Sequence, residues 1–182
     1  MLNNIINTTS KAKIVFISLT ALYVVHALFR WLSMAQGRIA THFSTDGTPN
    51  DSMTGTGFAL FHVAMAAFIV GIRWFLAASA RWQQGINIPE YHTFTGEQKQ
   101  VFAGFMALHS WSFGCLLVGM FLMIDGLIIW SNVQTPPNLP LVIGLVLTFV
   151  FLGGMGWWII RLLTEVQSIK KAGTPTARHQ HS

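Results

Sequence analysis

Four long apolar runs, separated by short polar stretches, divide this chain. They cover residues 14–34 ("IVFISLTALYVVHALFRWLSM"), 58–80, 105–130 and 141–163. A helix needs about 20 mostly apolar residues to cross the hydrocarbon of a bilayer, so each run predicts one transmembrane helix. The third lies within an apolar stretch that starts at Val101, long enough to begin before the bilayer or to tilt. "TPPNLP" precedes the fourth, and its prolines forbid a helix until the run begins at Leu141. The pattern therefore predicts an all-α integral membrane protein with one four-helix membrane domain over residues 14–163. Segments 1–13, 35–57, 81–100, 131–140 and 164–182 lie outside the bilayer.

Composition agrees with the pattern. Of 182 residues, 52% are hydrophobic and 9% charged, whereas a soluble domain carries about 25% charged residues. The net charge of +5 raises nucleic acid as a partner. The basic residues, however, are scattered at segment ends instead of massed on one face, so topology explains them and the bilayer is the expected partner. Lys11 and Lys13, Arg81 and Lys99 (with Arg73 nearby), and Lys170, Lys171 and Arg178 fall on one side. The other side offers Arg38, with Arg30 inside the first span. Positive charge collects in the cytoplasm, so both termini and segment 81–100 are expected inside, and segments 35–57 and 131–140 outside. A competing reading takes Lys11, Lys13, the apolar run, and Ser33 and Ala35 as a cleavable signal peptide ending before Gln36. The length of the run, and Arg30 and Trp31 just before the supposed cut, favour a retained span. Cys115, the single cysteine, sits in an apolar run and is read as packing. The terminal "ARHQHS" is read as a mobile polar tail in preference to a loose metal site.

The passage "IATHFSTDGTPNDSMTG", residues 39–55, is polar and rich in turn residues. In the structural reading, Asp46 favours a turn, Gly47 supplies a left-handed position, Pro49 stops a helix, and Ser52 or Thr54 caps the second span. Phe43 packs at the interface and His42 satisfies backbone carbonyls. The functional alternative uses His42, Asp46 and Asp51 as ligands or proton carriers. Zinc needs three or four well-placed ligands, and no His-x-x-x-His or Glu-x-x-His spacing provides them, so no metal or cofactor is expected.

Ionisable residues inside a span are costly and need a partner or a purpose. His26 and Arg30 lie one turn apart on the first span. Asp125 lies in the third, about 7.5 Å below Trp130 by helical rise, and His62 is near the outward start of the second. The four share a depth. One reading pairs Arg30 with Asp125 to hold the first and third spans in register. The sharper one has His26, Arg30, His62 and Asp125 lining an outward polar pocket, capped by the loop of His42, that receives a peptide, a quinone-like headgroup or a proton. Haem ligation by His26 and His62 is the weakest option. His109 near Trp111, Arg73 beside Trp74, and "GGMG" at 153–156 read as interface anchors and close helix packing.

"RIATHFSTDGTPNDSM" resembles the His-Phe-x-x-x-Gly-x-Pro-Asn/Asp pattern of a bacterial membrane domain of unknown function. That domain also begins the immunity proteins against a sporulation-delay toxin. His42, Phe43, Gly47, Pro49 and Asn50 carry the match, and Asn87, Pro89 and Tyr91 in "GINIPEYHTF" resemble a cytoplasmic-loop segment of one branch. The resemblance implies a small multi-span protein of the bacterial inner membrane with a polar outer loop, and no reaction. The chain itself offers no nucleophile–base pair, no phosphate-cradling Gly loop and no paired carboxylates among its six acidic residues. The expected function is therefore binding of a peptide or membrane-protein partner through the outer loop and polar cluster, in an immunity- or signalling-like role. The alternatives are an accessory subunit of a larger membrane complex, and a membrane enzyme or small-solute or proton carrier using the same cluster.

Overall fold

The computed structural model describes residues 2–34, 37–79 and 91–172. Four helices, α1 (Leu2–Met34), α2 (Gly55–Ser79), α3 (Gly96–Asn132) and α4 (Leu141–Ala172), account for most of them. All four are long and apolar enough to cross a membrane. The expected spans, up to Ser79 for the second, fall inside these helices, which run further: α1 takes in most of the segment assigned to the N-terminus, and α4 continues through Lys170 and Lys171. At 37 residues, α3 is about 55 Å long and exceeds the roughly 30 Å hydrocarbon thickness. Ala35, Gln36, Ala80, Arg81, Asn87, Pro89, Arg178 and the "ARHQHS" tail lie outside the described residues.

Polar side chains set the helix starts. Thr54 accepts from the Gly57 amide at 3.1 Å and caps α2, one of the two caps expected. Thr95 and Gln98 form a reciprocal capping box at α3. Successive helices run antiparallel. The start of α1 meets the first half of α3 where Cys115 Sγ lies 3.7 Å from the Ala12 carbonyl. Gln98 donates to the Ile169 carbonyl at 2.9 Å, joining the start of α3 to the end of α4.

Helical spacing explains the core. Phe16 and Tyr23 on α1, Ala66 and Ile69 on α2, and Val118 on α3 turn inward as one cluster. Gly114 lets the Phe16 ring approach α3, since a Cβ there would stand 2.6 Å from that ring. A second cluster at the opposite end packs Tyr91, Phe94, Phe102 and Phe105 on Ile169. The outward faces remain apolar: Leu22, Phe29, Phe68, Phe149 and Ile160 are exposed. A bundle with that surface is solvated by lipid, so the chain is a multi-pass membrane protein.

The segment between α1 and α2 is more ordered than its turn signals suggest. It forms an antiparallel hairpin of β1 (Arg38–Phe43) and β2 (Pro49–Thr54). The sequence reading identified the turn and missed the strands. Asp46 and Gly47 build the tip as expected: Gly47 has φ +85°, and Asp46 Oδ1 accepts from the Thr48 amide at 3.0 Å and hydroxyl at 2.7 Å. These two donors hold the Asp46 carboxyl below the usual carboxylate range.

The hairpin lies down on the bundle end. Asn132 accepts from the Ala40 amide and donates to the Ala40 carbonyl, both at 2.9 Å, as a neighbouring strand would. The tip meets the α3–α4 connection, where the Leu139 amide donates to the Gly47 carbonyl at 3.0 Å.

Candidate functional site

Three helices converge on Asp125 beneath this hairpin. Asp125 is 1% exposed and sits about 10 Å along α3 from Asn132 by helical rise. His26 Nδ1 of α1 lies 2.6 Å from its Oδ2, and His62 Nε2 of α2 lies 2.9 Å from its Oδ1. The expected Arg30–Asp125 pair is not formed. Arg30 is one turn beyond His26 and lies beside Ile39, Phe58, Ile129 and Asn132, next to the turn of α3 that follows Asp125. Two histidines, both already at the depth of the carboxylate, take the place assigned to the guanidinium.

Backbone chemistry fixes where protons sit. His62 Nδ1 is 2.7 Å from the Phe58 carbonyl, an atom that only accepts, so Nδ1 carries a hydrogen. Nε2 faces Asp125 Oδ1 across 2.9 Å and His26 Nδ1 faces Oδ2 across 2.6 Å, so each imidazole gives the buried carboxyl a polar neighbour, which an ionisable group in hydrocarbon needs. The contacts are close but off-line: neither Asp125 oxygen receives an aligned hydrogen bond among the described residues. Tyr23 is fully buried, its ring is 5.0 Å from that of His62, and its hydroxyl has no hydrogen-bond partner among the described residues.

Asp125, His62 and Tyr23 open onto one cavity of about 220 Å³. Phe58, Phe61 and Phe121 add three more rings to its wall. The roof is the hairpin, through Thr41, His42 and Met53. Adjacent strand residues normally face opposite ways. Here the register slips between Ala40 and His42, leaving Thr41 as an extra residue, and a bulge of this kind re-aims side chains so that Thr41 and His42 both reach the cavity. Of the four residues expected in the pocket wall, His62 and Asp125 line this cavity while His26 and Arg30 do not.

The remaining loop residues lie elsewhere. Phe43 pairs with Pro49 across the strands, and Asn50 is exposed. His42 pairs with Asp51 across the hairpin, but Asp51 Oδ1 accepts from the Ser52 amide at 2.7 Å and Asp46 is occupied by Thr48. The three do not converge as a ligand set. Among the described residues, no group of three His, Cys, Asp or Glu is arranged to hold a metal ion. At the opposite end, Tyr91 is buried against Phe94 and Phe102, a packing role. Arg73 lies over the Trp111 ring, 3.4 Å from its centroid, and His109 packs between Phe105 and Trp158.

A second cavity of about 300 Å³ lies between α3 and α4, lined by Met123, Leu127, Gly144, Leu147 and Phe151 among others. It adjoins the first at Thr41, Ile124 and Ile128, which line both.

No protein family, curated protein or solved structure matches the chain.

Tyr23, Phe58, Thr41 and Asn132 belong to the site and were missed in the sequence. A signal existed for two. Tyr23 is one of two tyrosines in the chain and precedes His26 by three residues, on one helix face. Phe58 precedes His62 by four. Nothing in the sequence marks the bulge at Thr41 or the clasp by Asn132.

Proposed function

We propose that this protein is a membrane-embedded binding protein in which the β-hairpin roofs a pocket and Asp125, clasped by His26 and His62, is the recognition element. One observation carries the reading. Asp125 and Tyr23, both buried in a lipid-solvated bundle, line the same cavity, Tyr23 with a hydroxyl that has no hydrogen-bond partner among the described residues and Asp125 with lone pairs beyond its two histidine contacts. Buried polar groups are normally satisfied, and a cavity walled by rings with a few convergent polar groups is the usual form of a ligand site. Its size suits a small amphipathic molecule, or one inserted side chain of a peptide, better than a folded partner. Among the described residues no Ser, Cys or Lys lines this cavity, so binding is favoured over catalysis.

The charge distribution supports a placement in which the hairpin end faces outward, because Lys11, Lys13, Lys99, Lys170 and Lys171 lie toward the opposite end. With the loop pattern of His42, Phe43, Gly47, Pro49 and Asn50, this favours the bacterial cytoplasmic membrane and an immunity- or signalling-like role. The test is photo-crosslinking in native membranes from a reactive phenylalanine analogue at Phe61, in the cavity wall, with a control at Phe149, 71% exposed on α4. A small-molecule adduct at Phe61 absent from Phe149 supports the reading. A discrete peptide or protein adduct moves the assignment to partner recognition. Identical lipid adducts at both positions refute it.

A further inference from the structure

We infer that the ligand is a membrane quinol, a hydroxylated aromatic ring on a long apolar tail, with its ring beneath the hairpin and its tail in the α3–α4 cleft. This rests on the binding reading above and names the ligand's chemistry. Three features of the cavity select the head. Asp125 offers carboxylate oxygens that keep lone pairs beyond their contacts with His26 and His62, and Tyr23 offers a hydroxyl without a hydrogen-bond partner among the described residues. A single ligand hydroxyl meets both, donating to Asp125 and accepting from Tyr23. The walls are rings: Tyr23, Phe58, Phe61, His62 and Phe121 line the space, and flat aromatic groups gain most from stacked and edge contacts with such walls.

The tail follows from continuity. The α3–α4 cleft adjoins the cavity at Thr41, Ile124 and Ile128, and its other lining residues are mostly aliphatic or Met and Phe. Helix α4 packs on α3 near Phe113–Trp158 and Gln98–Ile169, while the cleft opens nearer the hairpin, between Met120–Ile128 of α3 and Gly144–Phe151 of α4. Either space alone is small for an amphiphile of this size, since ligand pockets run about 300–1,000 Å³; the two in series are adequate. A ligand dissolved in the bilayer reaches the polar cluster through this cleft without crossing water.

The reduced and oxidised forms separate the chemistry. A quinone ring has no hydroxyl to donate, so it makes no bond to Asp125 and binds more weakly.

The probe is a decyl-chain benzoquinol added to the full chain in lipid nanodiscs, with binding read by tryptophan fluorescence and calorimetry. Comparison arms use the matching quinone and 1-decanol. Two variants accompany them: Asp125→Asn, and Gly144→Phe, which fills the cleft at a position where an added Cβ meets nothing within 4 Å and touches none of the cluster. Saturable quinol binding, at least about tenfold tighter than quinone, and weakened at least about tenfold by each variant, is expected. Equal binding of decanol overturns the aromatic head. Full affinity in Gly144→Phe overturns the lateral tail site. No binding of any probe, alongside a Phe61-specific adduct of other chemistry, overturns the quinol while the binding site stands.

Discussion

Replacing Asp125 separates a clasped carboxylate from an incidental one. The side chain is 1% exposed and holds two N···O contacts, 2.6 Å to His26 and 2.9 Å to His62. Asp125→Ala strands the buried His62 imidazole and the half-buried His26, and breaking a buried pair from one side costs about 3–5 kcal/mol. Asp125→Asn keeps the volume. Its amide donates to His62 Nε2, the acceptor left when Nδ1–H stays on the Phe58 carbonyl, and its carbonyl accepts from His26. Short charged contacts, worth at most what charge-assisted bonds are, about 1.5–3 kcal/mol, are exchanged for neutral ones of about 0.5–1.5, so Asn costs no more than about 1–2 kcal/mol. The assay is unfolding in bicelles by SDS titration, followed by tryptophan fluorescence and far-ultraviolet circular dichroism. A double-mutant cycle between Asp125→Ala and His62→Ala gives a coupling of about 1.5–3 kcal/mol on the same basis, above the average of about 0.6 for interhelical hydrogen bonds in a membrane protein. The Asp125–Arg30 cycle is additive within about 0.5 kcal/mol, as for residues that share no partner. Equal losses for Asn and Ala, or coupling to Arg30 in place of His62, would refute this reasoning.

Asn132→Ala removes both bonds to Ala40, a loss of about 0.5–1.5 kcal/mol each, and hydrogen exchange at the Ala40 amide accelerates while helix content is unchanged. Gly47→Ala forces a side chain into φ +85° and to 2.8 Å from the Leu139 carbonyl; a loss of about 1–3 kcal/mol is expected, and an unaltered unfolding midpoint contradicts the docked tip. Asp46 titrates below the usual carboxylate range, by carbon NMR of the labelled side chain, and Thr48→Val moves it upward. Because its folded-state value is depressed, its contribution to the turn is present above the unfolded pKa and is lost as pH falls through the folded one.

The spans were legible because a bilayer imposes a length and an apolar composition that no tertiary contact overrides. Proline geometry placed the start of α4, and turn chemistry narrowed the α2 cap to Ser52 or Thr54, of which Thr54 serves. The polar cluster was legible as a shared depth along three helices, but depth does not give rotation about a helix axis. His26 and Arg30 stand one turn apart on α1, and only the packing of Tyr23 and Ala27 against the bundle decides that His26 meets Asp125 while Arg30 lies a turn beyond. The hairpin was hidden for a different reason. Its strands alternate poorly, with Pro49, Asn50 and Asp51 in β2, and are held by Asn132 from 92 residues away instead of by their own pattern. The bulge at Thr41, which brings His42 to the cavity, lies next to that clasp.

The central claim is that Asp125 keys a ligand beneath the hairpin. Native mass spectrometry of protein taken from its own membranes in mild detergent tests it most directly, with Asp125→Asn of matched helix content alongside. The account predicts one reproducible small-molecule adduct on the wild-type chain that is lost from the variant. A wild-type chain without any adduct, or the same adduct undiminished on Asp125→Asn, contradicts it.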